Sequence, residues 1–209
     1  MTWVKICGVT SVADAEHVIE AGADAIGLNF IASSKRRVSD EQARAIVDAA
    51  RGRVELIAVV ADASDELISR LRDVLGIEWL QLHGSEEPAR LAGLLPHAFK
   101  AVAIGSEEDV RLAASFPGER LLVDAKVAGS SGGTGQVFDW QLVRELRLTR
   151  QLVLAGGLTP ANVGRAVREL GPFGVDVASG VESAPGRKDP DLVRAFVEGA
   201  QRARYSIPP

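Results

Sequence analysis

Trp3-Val4-Lys5-Ile6-Cys7-Gly8 opens the chain as a short apolar run that ends on the only cysteine and then a glycine, and a helix signal begins at Ser11. Ser11 is an N-cap residue type. Val12, Ala15, Val18 and Ile19 recur at helical spacing through Ala21 and are expected to form that helix's buried face. One strand is thus followed by one helix, and the unit repeats. Strand-like apolar runs begin near Trp3, Ala25, Leu56, Trp79, Phe99, Leu121, Leu152 and Gly174. Their spacing of about 20 to 31 residues is the length of a strand–helix unit. Eight such units predict an α/β fold, a closed (βα)8 barrel, with residues 1–209 as a single domain. Two half-barrels or an open doubly wound sheet are the alternatives, and no G-x-G-x-x-G follows the first strand.

Ser39 opens a second helix. Asp40 and Glu41 place negative charge in its first turn, where the helix dipole favours it, and Gln42 stands at the spacing of a capping box. Helices are also expected over residues 65–75, 88–95, 106–115, 139–147, 162–170 and 189–204. Pro88, Pro160 and Pro190 fall where a first helical turn tolerates proline. Residues 126–137 carry Gly129, Gly132, Gly133 and Gly135 and read as a disordered loop or a lid over a site.

Apolar residues make up 46% of the chain and aromatic ones only 5%. Ala, Val, Leu and Ile in bulk suit a buried parallel sheet better than an aromatic-packed sandwich. The net charge is −4, from 24 basic and 28 acidic residues, with no basic block. That balance argues against nucleic acid or an anionic membrane as partner. One cysteine cannot close an internal disulfide, which points to a reducing compartment. The first residues hold neither a long apolar region nor a small-residue cleavage site. No apolar run approaches the roughly 20 residues that span a bilayer. A cytoplasmic location is expected.

Barrel chemistry gathers at the C-terminal ends of the strands, and those ends are polar here. Cys7 ends the first. Gln81 and His83 alternate with Leu80 and Leu82, so they share an inward face at the top of the fourth. Asp124 closes Leu121-Leu122-Val123, and Asp176 is flanked by Val175 and Val177. Ser34-Lys35-Arg36-Arg37 places basic groups on the loop after the second strand. Taken singly, each has a plainer reading. A strand-end aspartate caps helices, a lone cysteine is a small buried hydrophobe, a lone histidine is structural, and Arg36 and Arg37 are solvated charge. Arg37 keeps that reading. Lys5 shares the face of Cys7 one layer deeper. It either plugs the barrel floor in a salt bridge or lowers the thiol pKa from below. What distinguishes the set is that its members map to one rim.

Strand seven ends in Ala155-Gly156-Gly157-Leu158 and strand eight in Ala178-Ser179-Gly180-Val181. Small residues let backbone N–H groups approach a ligand, and these two loops are the usual phosphate site of such barrels. One glycine pair is only a tight turn. Two on adjacent strands make Gly156, Gly157, Ser179 and Gly180 a candidate phosphate cradle.

Together these segments resemble the phosphoribosylanthranilate isomerase family over essentially the whole chain. The likeness rests on Lys5-Ile6-Cys7-Gly8, on Phe30 followed by Ser34-Lys35-Arg36, on Gln81-Leu82-His83-Gly84 and on Leu122-Val123-Asp124-Ala125. It continues through Gly132-Gly133-Thr134-Gly135 with Phe138-Asp139-Trp140, and Ala155-Gly156-Gly157-Leu158 with Pro160 and Asn162-Val163. Val175-Asp176-Val177, Ser179-Gly180-Val181-Glu182 and Pro185-Gly186-Arg187-Lys188-Asp189 complete it. The resemblance implies an Amadori rearrangement of a phosphorylated aminoaldose, N-(5′-phosphoribosyl)anthranilate, in tryptophan biosynthesis. It implies Asp124 as general acid, Cys7 as general base and Arg36 as partner of the anthranilate carboxylate. Gly156, Gly157, Ser179 and Gly180 match the phosphate cradle, and Gln81, His83 and Asp176 line the pocket. No cofactor or metal is implied, since the substrate's own amine forms the Schiff base. The family includes monomers and dimers, so a monomer or a homodimer is expected.

The chemistry asks for an aspartate pKa well above about 4 and a thiol pKa below about 8.5. Burial is expected to push the first, and nearby positive charge the second. Two segments depart from the family pattern: Ala178 precedes Ser179 where a small hydroxyl residue is usual, and strand three ends Val59-Val60-Ala61-Asp62. The rival readings are another phosphate-binding barrel enzyme, a Schiff-base aldolase using Lys100 or Lys126, and a non-catalytic phosphate-ligand module. Histidine-pathway isomerases usually employ aspartate where this chain has Cys7.

Overall fold

A computed structural model describes residues 1–125 and 143–203. Eight parallel strands close a barrel in chain order. They are β1 (Trp3–Cys7), β2 (Ala25–Asn29), β3 (Glu55–Val60), β4 (Trp79–Leu82), β5 (Ala98–Ile104), β6 (Arg120–Ala125), β7 (Gln151–Ala155) and β8 (Gly174–Val177). The seam lies at β1, where Lys5 is opposite Ala25 of β2 and Asp176 of β8. Every expected strand start is met to within one residue. No helix among the described residues is long and apolar enough to cross a membrane.

The outer ring holds α1 (Val12–Glu20), α2 (Asp40–Ala50), α3 (Asp65–Ser69), α4 (Pro88–Ala92), α5 (Glu107–Ser115), α6 (Leu146–Thr149), α7 (Val163–Leu170) and α8 (Pro190–Arg202). Ser11 accepts from the Asp14 N–H, and Ser39 with Gln42 forms the reciprocal capping box. Each such cap is worth about 1 kcal/mol. The helix expected over 65–75 occurs in two geometries, α3 and then a π-helical turn, Arg70–Val74. The lid expected over 126–137, Lys126, the start of the helix expected over 139–147 and its motif partners, and Arg204 lie outside the described residues.

The expected face of α1 holds at Ala15, Val18 and Ile19 and departs at one position. Val12 is exposed, while Asp14 is buried beside Ala15 and Val18. Asp14 accepts the Lys188 N–H at 3.3 Å, so α1 rotates a polar group toward the chain that follows β8.

Alternation divides the strands between two cores. Outward residues such as Ile6, Leu28, Leu80, Val123 and Leu154 pack beneath the helices. Burying each fully is worth about 1.5–3 kcal/mol. Ala25, Ile57, Phe99, Leu122 and Val153 fill the barrel interior. Arg120 closes the floor. Its guanidinium lies 4.4 Å from the Trp79 ring centre and 4.7 Å from that of Trp3, and it donates to Glu55 at 2.9 Å. Lys5 is therefore not the floor plug. It sits higher, in a 2.8 Å salt bridge to Asp176, because strand register brings those two inward residues together.

Candidate active site

Two adjoining hollows, of about 170 and 160 Å³, open at the strand C-terminal rim. Asp124, Asp176 and Ala178 line both. The first is completed by Gly156, Gly157, Ser179 and Gly180. The second is completed by Cys7, Arg36, Gln81 and His83, with Asn29 and Ile31 beside them. All the sequence-predicted site residues therefore line one double hollow. A roomier cavity of about 360 Å³ lies at the opposite end, against Trp79, Pro96, His97 and Arg120. Arg120 is already stacked and ion-paired there, and the acid, thiol and glycine loops are at the other rim.

Local structure accounts for each side chain. Cys7 is the last residue of β1 and only 8% exposed. Gln81 points inward from β4, 2% exposed, and its Oε1 has no hydrogen-bond partner among the described residues. A buried amide oxygen left unpaired costs about 1–3 kcal/mol, so this one is a ready acceptor for a ligand hydroxyl or N–H. His83 falls just beyond β4 and is exposed at the mouth, its N–H donating to Val60 O. Arg36 is fixed by a tight turn in which Ser34 Oγ accepts its N–H at 3.1 Å. Its stem lies across Gly8, where a Cβ would overlap Arg36 Cδ. Gly156 and Gly157 adopt left-handed backbone, φ 90° and 62°, and a Cβ at Gly180 would overlap the Leu158 carbonyl. Glycine alone lets the loops after β7 and β8 close on each other this way.

Burial dominates the electrostatics. It pushes the Asp124 carboxyl above the usual range, His83 pulls it back and Asp176 pushes it further. Burial pushes the Cys7 thiol up as well; Lys5 opposes it, Asp176 adds to it and Lys188 opposes it. The expected lowering of the thiol is therefore not found. Positive groups are present but each is shared with a carboxylate, Lys5 with Asp176 and Lys188 with Glu182 at 2.9 Å, and together they do not offset burial. For Lys5, burial works against the charge, and Asp176 and Cys7 outweigh it.

Other expectations resolve in the same frame. Lys100 is buried on the outer side of β5 and donates to Gly84 O at 2.6 Å and Glu86 at 2.8 Å, outside both hollows. That removes the aldolase reading for Lys100. Asp62, the unusual end of strand three, holds a left-handed φ of 50° and accepts the Ser85 N–H at 2.8 Å. Its role is to brace the turn after β4. Asn29 and Ile31 also line the hollow, and reading the polar end of strand two would have singled out Asn29. Glu182 and Lys188 carry no role in the sequence reading, yet the structure folds both against Arg36 and Cys7. The charged residues of the last connection before the final helix, Glu182, Arg187, Lys188 and Asp189, were the available signal.

A family model described as N-(5′-phosphoribosyl)anthranilate (PRA) isomerase matches residues 4–199. The chain is similar to N-(5′-phosphoribosyl)anthranilate isomerase of Magnetococcus marinus, 41% identical over 201 residues and 96% of either protein. Among solved structures it is similar to phosphoribosyl anthranilate isomerase of Thermotoga maritima, with TM-score 0.87 and 38% identity over 96% of this chain and 99% of that one. It is likewise similar to a phosphoribosyl anthranilate isomerase solved with reduced 1-(o-carboxyphenylamino)-1-deoxyribulose 5-phosphate, with TM-score 0.85 and 36% identity over 96% and 99%. By sequence along nearly its full length and by barrel architecture, the chain belongs to the N-(5′-phosphoribosyl)anthranilate isomerase family.

Proposed function

We propose that this protein catalyses the Amadori rearrangement of N-(5′-phosphoribosyl)anthranilate to 1-(o-carboxyphenylamino)-1-deoxyribulose 5-phosphate, a step of tryptophan biosynthesis. Family membership supports the reaction. The observation that carries the residue roles is that Cys7 and Asp124 line one hollow that runs into a glycine cradle.

In this reading the substrate phosphate rests on Gly156, Gly157, Ser179 and Gly180, and the anthranilate carboxylate meets Arg36. The ribose then lies between Asp124 and Cys7. Asp124, whose affinity for a proton burial raises, gives a proton to the ring oxygen in the fraction that carries one. The C1′–O bond breaks toward oxygen, and the nitrogen lone pair forms the C1′=N iminium. Cys7, as thiolate, takes the C2′ proton and leaves an enolamine. The enol loses its hydroxyl proton as C1′ gains one, giving the ketone, so no atom is gained or lost overall. Gln81 Oε1 accepts from a sugar hydroxyl, while His83 and Asp176 complete the lining. The reacting nitrogen belongs to the substrate, so this route uses no catalytic lysine.

The test is turnover by the purified protein, followed as loss of the anthranilate derivative's fluorescence, beside the histidine-pathway aminoaldose. Conversion of the anthranilate compound alone is expected. Failure to convert it would overturn the reading.

A further inference from the structure

The chain does not pass straight from β8 to α8. A 3₁₀ turn, Ser179–Val181, leads into a two-stranded hairpin of β9 (Glu182–Ala184) and β10 (Arg187–Lys188). Two hairpin side chains turn inward, Glu182 at 5% exposure and Lys188 at 0%. Glu182 Oε1 accepts from Arg36 Nε at 2.7 Å, from Lys188 Nζ at 2.9 Å and from Gly186 N at 3.3 Å, and Oε2 accepts from Arg36 Nη2 at 2.7 Å. Lys188 Nζ also donates to Cys7 O at 2.6 Å and Ala178 O at 3.1 Å. Neither Glu182 nor Lys188 has a part in the reaction proposed above.

The pattern of donors decides what this network does. A guanidinium has five N–H groups in a rigid fork. Glu182 takes the Nε–H and one Nη2–H, a bidentate grip on one edge. The Nη1 hydrogens and the second Nη2 hydrogen are left, and Arg36 lines the hollow with Cys7 and Asp124. Two cations, Arg36 and Lys188, face one anion, Glu182. Lys188 ties the same cluster to the carbonyl of Cys7 itself.

We infer that Glu182 is a positioning residue for substrate recognition. It clamps Arg36 by one edge so that the opposite Nη1/Nη2 edge meets an aryl carboxylate end-on, and Lys188 sets the distance of that edge from Cys7. The inference deepens the proposed function and rests on Arg36 as the carboxylate's partner.

Two substrates separate positioning from simple bracing: N-(5′-phosphoribosyl)anthranilate and N-(5′-phosphoribosyl)aniline, which lacks the carboxylate. Glu182→Gln should raise KM for the anthranilate compound about tenfold or more with kcat changed far less. It should leave KM for the aniline compound near the wild-type value. Arg36→Ala should show the same preference, and the double variant should be no worse than Arg36→Ala, since both changes remove one interaction. Should Glu182→Gln not fold, Glu182→Asp carries the comparison, because it keeps the charge and withdraws the fork by one methylene. Equal losses on the two substrates, or additive losses in the double variant, would overturn the role of Glu182. If Arg36→Ala itself leaves KM for the anthranilate compound unchanged, or the wild-type protein does not distinguish the two compounds, the Arg36 reading has failed instead.

Discussion

Lys5 Nζ and Asp176 Oδ1 meet at 2.8 Å one layer below Cys7, and their strands are register partners across the seam that closes the barrel. Lys5 has no exposure and Asp176 only 8%, so water is no substitute partner for either charge. Removing one member strands the other. Lys5→Met is expected to lower the unfolding free energy by about 3–5 kcal/mol, read by urea denaturation. Adding Asp176→Asn should recover part of that loss, because the pair is then removed as a unit. Wild-type stability in Lys5→Met would mean that the pair contributes nothing to the seam.

Both proposed reacting groups are displaced upward, and this sets the form of the pH profile. The working state has a proton on Asp124 and none on Cys7. Between the two ionisations the protein holds one proton, mostly on sulfur, and the working state is a fixed minority of that form. A plateau in kcat/KM is expected there. Activity falls on the acid side as Asp124 and Cys7 both become protonated, and on the alkaline side as the last proton leaves Cys7. Lys5 is the first charge opposing burial at the thiol, so Lys5→Met should move the alkaline limb up and lower the plateau. The substrate's own phosphate ionisation is common to both proteins and cancels in the comparison. An alkaline limb that stays in place would assign it to a group other than Cys7.

Cys7→Ser and Asp124→Asn should each lower kcat at least about a hundredfold while substrate still binds. Turnover near wild type would remove that residue from the mechanism. Asp124→Asn carries a second signature. A carboxyl whose pKa is raised by folding opposes folding above its folded pKa. That opposition fades as the pH falls toward the unfolded value of about 3.9. The amide is neutral throughout. Asp124→Asn should therefore melt higher than wild type at pH 7 and lose the advantage on acidification, as expected where activity needs a group the fold does not favour. A lower melting temperature at pH 7 would contradict the burial argument.

The order of the barrel was legible because its signals are local. Short apolar runs marked each strand, Ser11 and Ser39 marked helix starts, and strand order then mapped Cys7, Gln81, Asp124 and Asp176 to one rim. What escaped depends on contacts between distant residues. Arg36 and Glu182 are 146 positions apart, and no pattern around either announces the pair. Arg120 as floor plug needs Trp3, Trp79 and Glu55 from three strands. The direction of the Cys7 shift is a contest between burial and two committed ammonium groups, and only coordinates decide it.

Gly27 supplies space that the rim chemistry requires. It faces the interior from β2, where a Cβ would stand 2.9 Å from Lys5 Nζ and 3.0 Å from Cys7 Sγ. The lysine end can yield, so Gly27→Ala is expected to fold. The thiol or its supporting ammonium must then move by a few tenths of an ångström. A drop in kcat of about tenfold is expected, since small misplacements at a reacting centre are amplified in rate. Full activity in a folded Gly27→Ala protein would show that Cys7 tolerates displacement and is not held for proton transfer.

Glu86 joins the loops after β3 and β4, and the second of these carries His83. Its carboxylate accepts from Asp62 N at 2.8 Å, Gly84 N at 3.0 Å and Lys100 Nζ at 2.8 Å. Burial alone would raise its pKa, but Lys100 and the Asp62 N–H outweigh burial and hold it below the usual range. A carboxyl depressed by folding adds stability in full above its unfolded value of about 4.3, and loses it as the pH falls from there through the folded value. Glu86→Gln should therefore be less stable than wild type by about 1–3 kcal/mol at pH 7. The two proteins should converge in urea titrations as the pH falls through the folded value and the wild-type carboxyl takes up its proton. Parallel pH dependences would place the acid lability elsewhere. Glu182, which Arg36 and Lys188 likewise hold down against burial, would be the next carboxylate to replace.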